Sequence, residues 1–223
     1  MCEQKYSMVL RQCRLLGTGD RATVDIAIDD NTIFAVSPRI SGFGEGEIDT
    51  QGNLVSPPFV ESQIYLDSTL TAGEPRWNQS GTLFEGIQIW GERKQYLTLD
   101  DVKKRAIETL KFQASQGILF VRSHADVSEP MLTALQGFLE VREQVKDWMT
   151  FQVVAFPQDE IYRSRGNDQL LEKALDMGAD AVGGIPHYEL TREDGVKSVH
   201  RIFELAEKYD KLIDIHCDEI DGE

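Results

Sequence analysis

From Leu54 to the end of the chain, apolar residues fall into two alternating patterns: short unbroken runs, and stripes that recur every three or four positions. Runs of the first kind mark buried strands, and stripes of the second mark amphipathic helices. The segment 98–116 predicts a helix: Val102, Ala106 and Leu110 are spaced by four, Thr98 offers an N-cap, Asp101 lies in the first turn, and Gly117 supplies a stop. ILFVRS at 118–123 predicts a strand. Ser128 then reads as the cap of a helix with Leu132, Leu135 and Leu139 along one face. TFQVVAF at 150–156 is the next strand, followed by a helix from Asn167 to the stop at Gly178 and by the strand DAVGGI at 180–185. Val196, Val199, Phe203 and Ala206 mark a last helix before LIDIHCDE. The earlier run LVSPPFVESQIYLD begins with Pro57-Pro58, which restricts it to an extended start.

Strand starts near 118, 150, 180 and 212 lie roughly thirty residues apart, the length of a βαβ unit, so the strands are expected to be parallel. With the run before Asp67 they number five, which fits a doubly wound sheet or part of a (β/α)8 barrel. Residues 1–57 follow a different grammar. Thr23 to Ile28 and Thr32 to Val36 are β-rich runs joined by Asp29-Asp30-Asn31, with Gly42, Gly44 and Gly46 beyond them. They predict a small β-subdomain over 1–57, distinct from an α/β region over 58–223. A lone hairpin is marginal in water, so further strands must complete that sheet.

Composition narrows the classes of function. The chain has 223 residues, 41% of them hydrophobic, which suits a globular protein. Its 38 acidic residues against 23 basic ones leave a net charge of −15, a poor match for nucleic acid or for anionic membrane surfaces. Cys2, Cys13 and Cys217 have neither disulfide-framework nor zinc-knuckle spacing and fit reduced thiols. Glu3 and Arg11 break up the N-terminal segment, and no apolar run approaches membrane-spanning length, so a cytoplasmic location is expected.

In parallel α/β folds, polar residues at the C-terminal strand ends carry most chemistry. Here those positions hold Glu61, Gln63, Tyr65 and Asp67; then His124 and Asp126; then Gln158; then His187 and Glu189; then His216, Asp218 and Glu219. Alternation places Asp214, His216 and Asp218 on one side of their strand. His216 is therefore a candidate metal ligand with Glu219 as a proton shuttle, against the plainer reading of a histidine satisfied by a neighbouring carboxylate. Gln158 offers an amide to a heterocycle or to its own turn. Gly183-Gly184 reads as close packing, because no phosphate-binding glycine motif follows. Trp77, Trp90 and Trp148 read as core or rim packing.

Five blocks stand in one order: PPFVESQIYLDSTLTAGEPRWNQSGTLFEGI, VRSHADV, VVAFPQ, VGGIPHYELTREDGV and LIDIHCDEID. In order and spacing the chain resembles the amidohydrolase-superfamily cytosine deaminases of bacteria over essentially its whole length. The P-C-x-x-C block of the cytidine-deaminase zinc enzymes is absent. The resemblance implies a distorted (β/α)8 barrel with a β-sandwich built from both chain ends, about five of eight barrel strands being present here. It implies a cytoplasmic homo-oligomer acting in pyrimidine salvage on a small pyrimidine, with a divalent iron or zinc ion whose activated water attacks C4 of cytosine to give uracil and ammonia. By motif match His216 is the metal ligand of the fifth strand and Glu219 the acid that protonates the ring and relays the proton. Gln158 matches the amide at the pyrimidine edge, and Leu83 matches the apolar wall.

Two departures qualify those expectations. The family's first strand ends in His-x-His, and here Gln63 and Tyr65 occupy the two positions. The resemblance also places three further strands, a histidine and a metal-binding aspartate beyond Glu223. The expectation is a truncated chain, inactive alone and without its metal. The alternatives are a catalytically dead paralogue that acts as scaffold or ligand-binding protein, and a deaminase of a related cyclic amidine or purine.

Overall fold

The structure, a computed structural model, describes residues 4–17 and 22–217, and the chain divides into two units, Met1–Pro57 and Pro58–Glu223. The first unit is a sheet of β1 (Lys5–Leu15), β2 (Val24–Asp29), β3 (Thr32–Ser37), β4 (Phe43–Asp49) and the short β5 (Leu54–Val55). The hairpin read from the sequence is β2–β3, turned by Asp30 and Asn31 at φ of 45° and 61°, the conformation that a tight hairpin turn requires. Its completing strand is β1, antiparallel to β2 and parallel to β4 and β5. The sequence pattern does not reveal β1, because the alternation breaks at Gln12, where φ is 56° and the register shifts between Leu10 and Cys13. Tyr6, Val9, Ala27 and Ile40 form the core of this unit. The Arg11 guanidinium ties it together by donating to Asp25 and to the carbonyls of Ile40 and Gly42.

The second unit carries the parallel sheet that the thirty-residue spacing predicts. Its strands are β6 (Phe59–Ile64), β7 (Ile118–Asp126), β8 (Thr150–Phe156), β9 (Ala181–Gly184) and β10 (Leu212–Ile215), and they pair in chain order. All four pairings are parallel, and the sheet curls as five strands of a partial (β/α)8 barrel. The crossover helices are α2 (Leu99–Ser115), α3 (Thr133–Val145), α4 (Asn167–Asp176) and α5 (Arg192–Tyr209), and α1 (Leu83–Arg93) precedes α2. Thr98 caps α2 by accepting from the Asp101 N–H, and Gly117 ends the following turn at φ of 84°. Leu110, Leu135, Phe138, Phe151, Leu171 and Leu205 are core residues between helices and sheet. Among the described residues no helix is long and apolar enough to cross a membrane.

Two local readings are corrected. Ser128 does not cap α3: its hydroxyl accepts from the Asp159 N–H, and the Glu129 carboxylate takes the N–H groups of Met131 and Thr133 at the helix start. On α5, Val196 and Phe203 face outward, and the buried stripe is Gly195, Ser198, Ile202, Leu205 and Ala206. Small residues set that face. A Cβ on Gly195 would lie 2.6 Å from the Pro186 carbonyl oxygen, so the helix approaches through its glycine rather than through its valine.

The loop between β8 and α4 is fixed by buried polar groups. Asn167 donates its side-chain amide to the carbonyls of Asp159 and Glu160, and the Glu189 carboxylate accepts from the N–H groups of Ile161 and Tyr162. Glu160 is itself buried at φ of 58°. Burial pushes its carboxyl up to about 7 despite the Arg163 guanidinium at 2.9 Å, with the charges of Glu189 and Asp159 adding to the rise.

Because a Cβ on Gly183 would lie 2.7 Å from Phe156 Cδ2 and 2.8 Å from the Ala155 carbonyl oxygen, Gly183→Ala is expected to destabilise the fold by about 1–3 kcal/mol. Urea unfolding measures this, and an unchanged midpoint refutes the close approach. The second prediction concerns pH. The folded-state value of Glu160 lies above that of an unfolded carboxyl, so the unfolded chain gives up this proton first and stability falls as pH rises from about 4.5 to about 7. Glu160→Gln should match the wild type at pH 4 and exceed it at pH 8 by about 2 kcal/mol; equal thermal midpoints at pH 8 rule this out.

Candidate functional site

Parallel strands point their C-terminal ends to one side, and here those ends meet α1 around a cavity of about 580 Å³. Gln63 comes from β6, with Tyr65 and Asp67 just beyond it; Gln158 follows β8, Ile185 follows β9, and His216 follows β10. The opposite wall is α1 and the turn before it, which contribute Trp77, Leu83, Ile87 and Trp90. The cavity thus brings together Gln63, Tyr65, Leu83, Gln158 and His216, all named from the sequence. Glu219 and Asp218 lie outside the described residues. His187 and Glu189 are elsewhere: His187 lines a separate groove beside α5, and Glu189 holds the β8–α4 loop.

Both ring nitrogens of His216 meet side chains of the first strand. The Gln63 amide nitrogen lies 3.1 Å from Nε2, and the Tyr65 hydroxyl lies 3.1 Å from Nδ1. The backbone N–H of His216 donates to the Gly184 carbonyl, which continues the pairing of β10 with β9 to this residue. Behind it His124 is fully buried against Tyr65 and Phe156. His124 Nε2 lies 3.0 Å from one Asp214 oxygen, and Arg122 donates to the other at 2.8 Å. The His124 bond first, and Arg122 after it, hold the Asp214 carboxyl down at about 2.

The metal that the family resemblance implies can be tested against these donors. Gln63 offers a neutral amide, and Tyr65 a phenol that must ionise from about 10 before it ligates. Both are hydrogen-bonded to the one histidine that would share the ion. The set Gln63, Tyr65 and His216 does not fit a divalent metal. Beside it, His124, Asp214 and His216 each bring a donor atom to within 4.8 Å of the others. This is a His-Asp-His cluster of metal-ligating composition, in which Arg122 and His124 already share the carboxylate.

A second group of polar side chains lies under α1. The Asp126 carboxylate accepts from Trp90 Nε1 and Lys94 Nζ, each at 3.0 Å, and from the Ser128 N–H. Burial alone would lower Lys94, but the charges of Asp126 and Asp159 outweigh it and raise the ammonium above its usual value. Asp67 is 1% exposed and accepts from the Asp126 N–H at 2.9 Å. Its burial pushes the carboxyl up to about 7 even though this bond favours the ionised form. The two arginines lining the cavity are engaged elsewhere: Arg76 by Glu85 and Glu92, and Arg93 by Glu74 and Asp101.

Sequence reasoning missed α1, although a signal was present. Thr82 and Glu85 have capping-box spacing, and Thr82 Oγ1 does accept from the Glu85 N–H. The Glu85 carboxylate turns instead to the hydroxyl and N–H of Ser80, and the Ser80 hydroxyl heads the bonds that hold it down at about 2.

Comparison with known proteins agrees with this architecture. The sequence model of the amidohydrolase family matches residues 46–223. Among solved structures, 5-methylcytosine deaminase from Klebsiella pneumoniae liganded with 5-fluorocytosine superimposes with a TM-score of 0.91 at 45% identity, covering 96% of this chain and 52% of that one. N-isopropylammelide isopropylaminohydrolase from Burkholderia multivorans ATCC 17616 gives a TM-score of 0.79 at 26% identity, covering 95% and 53%. The N-isopropylammelide isopropyl amidohydrolase of Pseudomonas sp. (strain ADP) is 35% identical over 221 residues, which are 96% of this chain and 54% of that protein. The chain spans about half the length of these relatives. With the family match over most of its length and a partial barrel that superimposes this closely, the chain belongs to the amidohydrolase family and is cytosine deaminase-like in structure.

Proposed function

We propose that this chain binds a small, flat, uncharged aminoheterocycle of the cytosine type in the cavity at its strand ends, and that its own described residues do not support metal-dependent turnover there. The observation that carries the reading is the Gln63–His216–Tyr65 array, in which an amide and a phenol meet both nitrogens of the histidine at 3.1 Å. Neutral hydrogen-bonding groups converge on a cavity with Leu83, Ile87 and tryptophan on its opposite wall and the Asp67 carboxyl also in its lining. Such a lining suits a planar ring with polar edges. Charge points the same way. With Arg76 and Arg93 already paired to carboxylates, no cation among the described residues of the lining is left unpaired for a phosphate or carboxylate, which favours a base over a nucleotide as the ligand. In this reading Gln158 presents its amide to the heterocycle edge and Leu83 covers a ring face. The proton relay that the resemblance gives to Glu219 requires a metal-bound water and does not belong to this reading.

A second ligand class has its own support. Two of the relatives are named as acting on N-isopropylammelide, so the ligand panel should hold that compound beside the pyrimidines.

Trp77 and Trp90 line the cavity and supply the readout. Cytosine or 5-fluorocytosine should quench the intrinsic fluorescence saturably, with no ammonia released, and the purified chain should carry substoichiometric iron and zinc. The double variant Gln63→His/Tyr65→His should gain metal relative to the wild type. Steady ammonia release by the unaltered chain, or absence of saturable binding across the panel, overturns the proposal.

A further inference from the structure

Among the described residues, Asp67 holds a buried carboxylate oxygen without a hydrogen-bond partner; the Ser68 N–H helps to stabilise the carboxylate from nearby but donates to the Tyr65 carbonyl. The residue lines the cavity, and Oδ1 has no hydrogen-bond partner while Oδ2 accepts from the Asp126 N–H. Each donor nearby is directed elsewhere. The Arg105 guanidinium gives its N–H groups to the carbonyls of Asp67 and Thr69 and to the Asp101 carboxylate. Ser68 donates to the Tyr65 carbonyl, and Thr69 to that of Leu66. Trp90 and Lys94 donate to Asp126. A buried acceptor left unmade is costly, and such a group in a native fold calls for a partner that the protein itself does not supply.

We infer that Asp67 Oδ1 is the acceptor that recognises an N–H donor of the ligand, making Asp67 a specificity-determining residue that favours an exocyclic amino group over a carbonyl oxygen. This rests on the heterocycle reading given above and extends it to the face that the ligand presents. A ring bearing an amino group places an N–H against Oδ1 and closes the unmet bond. Its oxo counterpart places a second oxygen there, and above about pH 7, where the carboxyl is ionised, two acceptors meet with no proton between them. Discrimination by a polar group that one ligand satisfies and the other leaves unpaired exceeds what packing alone achieves.

The isosteric variant Asp67→Asn separates this role from a structural one. The Asp126 N–H needs an acceptor, so it orients the new amide with its oxygen toward the backbone and its NH₂ toward the position of Oδ1. The cavity then presents a donor where it presented an acceptor. Titrating 5-fluorocytosine and 5-fluorouracil at pH 8 by tryptophan fluorescence, the wild type should prefer the amino compound by about tenfold or more, and Asp67→Asn should reduce or reverse that preference by a similar factor. Thermal unfolding of the same samples checks that the variant is folded. If both ligands bind and their ratio is the same in the two proteins, Oδ1 meets no ligand N–H and the assignment of Asp67 falls. If the wild type binds neither compound, the heterocycle reading falls instead. Should Asp67→Asn fail to fold, Asp67→Ser removes the acceptor without supplying the opposed donor, and retention of the full wild-type ratio in it likewise overturns the inference.

Discussion

One buried carboxylate, Asp126, holds the cavity wall to the barrel. At the end of β7 it accepts from Trp90 and Lys94, and so binds α1 and the turn after it to the sheet. Its backbone N–H meanwhile fixes Asp67 at the end of the neighbouring strand. A charge so deeply placed is tolerable only when it is paired and hydrogen-bonded, and here the pairing is also what builds the site. α1 leans on this carboxylate, because none of its residues is fully buried: Ile87, Ile89 and Trp90 are half-buried, and Phe84 stacks on the Tyr188 ring at 6.4 Å. Its remaining ties are largely ionic, from Arg76 to Glu85 and Glu92 and from Arg93 to Glu74 and Asp101.

The barrel was readable from sequence because its elements are set by apolar periodicity, which local sequence records directly. TFQVVAF is β8 residue for residue, and the helix with Thr98 as N-cap and a glycine stop is α2. Features that depend on distant partners were not readable. The central strand β1 is interrupted by a bulge and carries Arg11, whose pairing with Asp25 becomes visible only in three dimensions. On α5 the apolar residues Val196 and Phe203 suggested the wrong face, because close approach is decided there by a glycine.

The site divides in the same way. Gln63, Tyr65, Leu83, Gln158 and His216 were named from strand ends and motif blocks, and they share one cavity. Asp67 was collected as a strand-end residue, but its unmet oxygen depends on where Arg105, Ser68 and Trp90 direct their protons, and no spacing rule encodes that. Likewise the substitutions at Gln63 and Tyr65 read in the sequence as lost ligands. In the structure they are a hydrogen-bonded replacement, because both ring nitrogens of His216 meet side chains that follow from the first strand.

A wall held by ion pairs and by half-buried rather than fully buried apolar side chains is a segment of lower local stability than the core, of the kind that opens in sub-global fluctuations while the core stays closed. For α1 this means that a ring lodged against Leu83 and Ile87 would complete the burial of a half-exposed apolar face. Part of the interaction energy would then go into ordering the helix and would be missing from the measured affinity. Occupancy and the order of α1 would rise together, and amide protons of α1 would report the bound state.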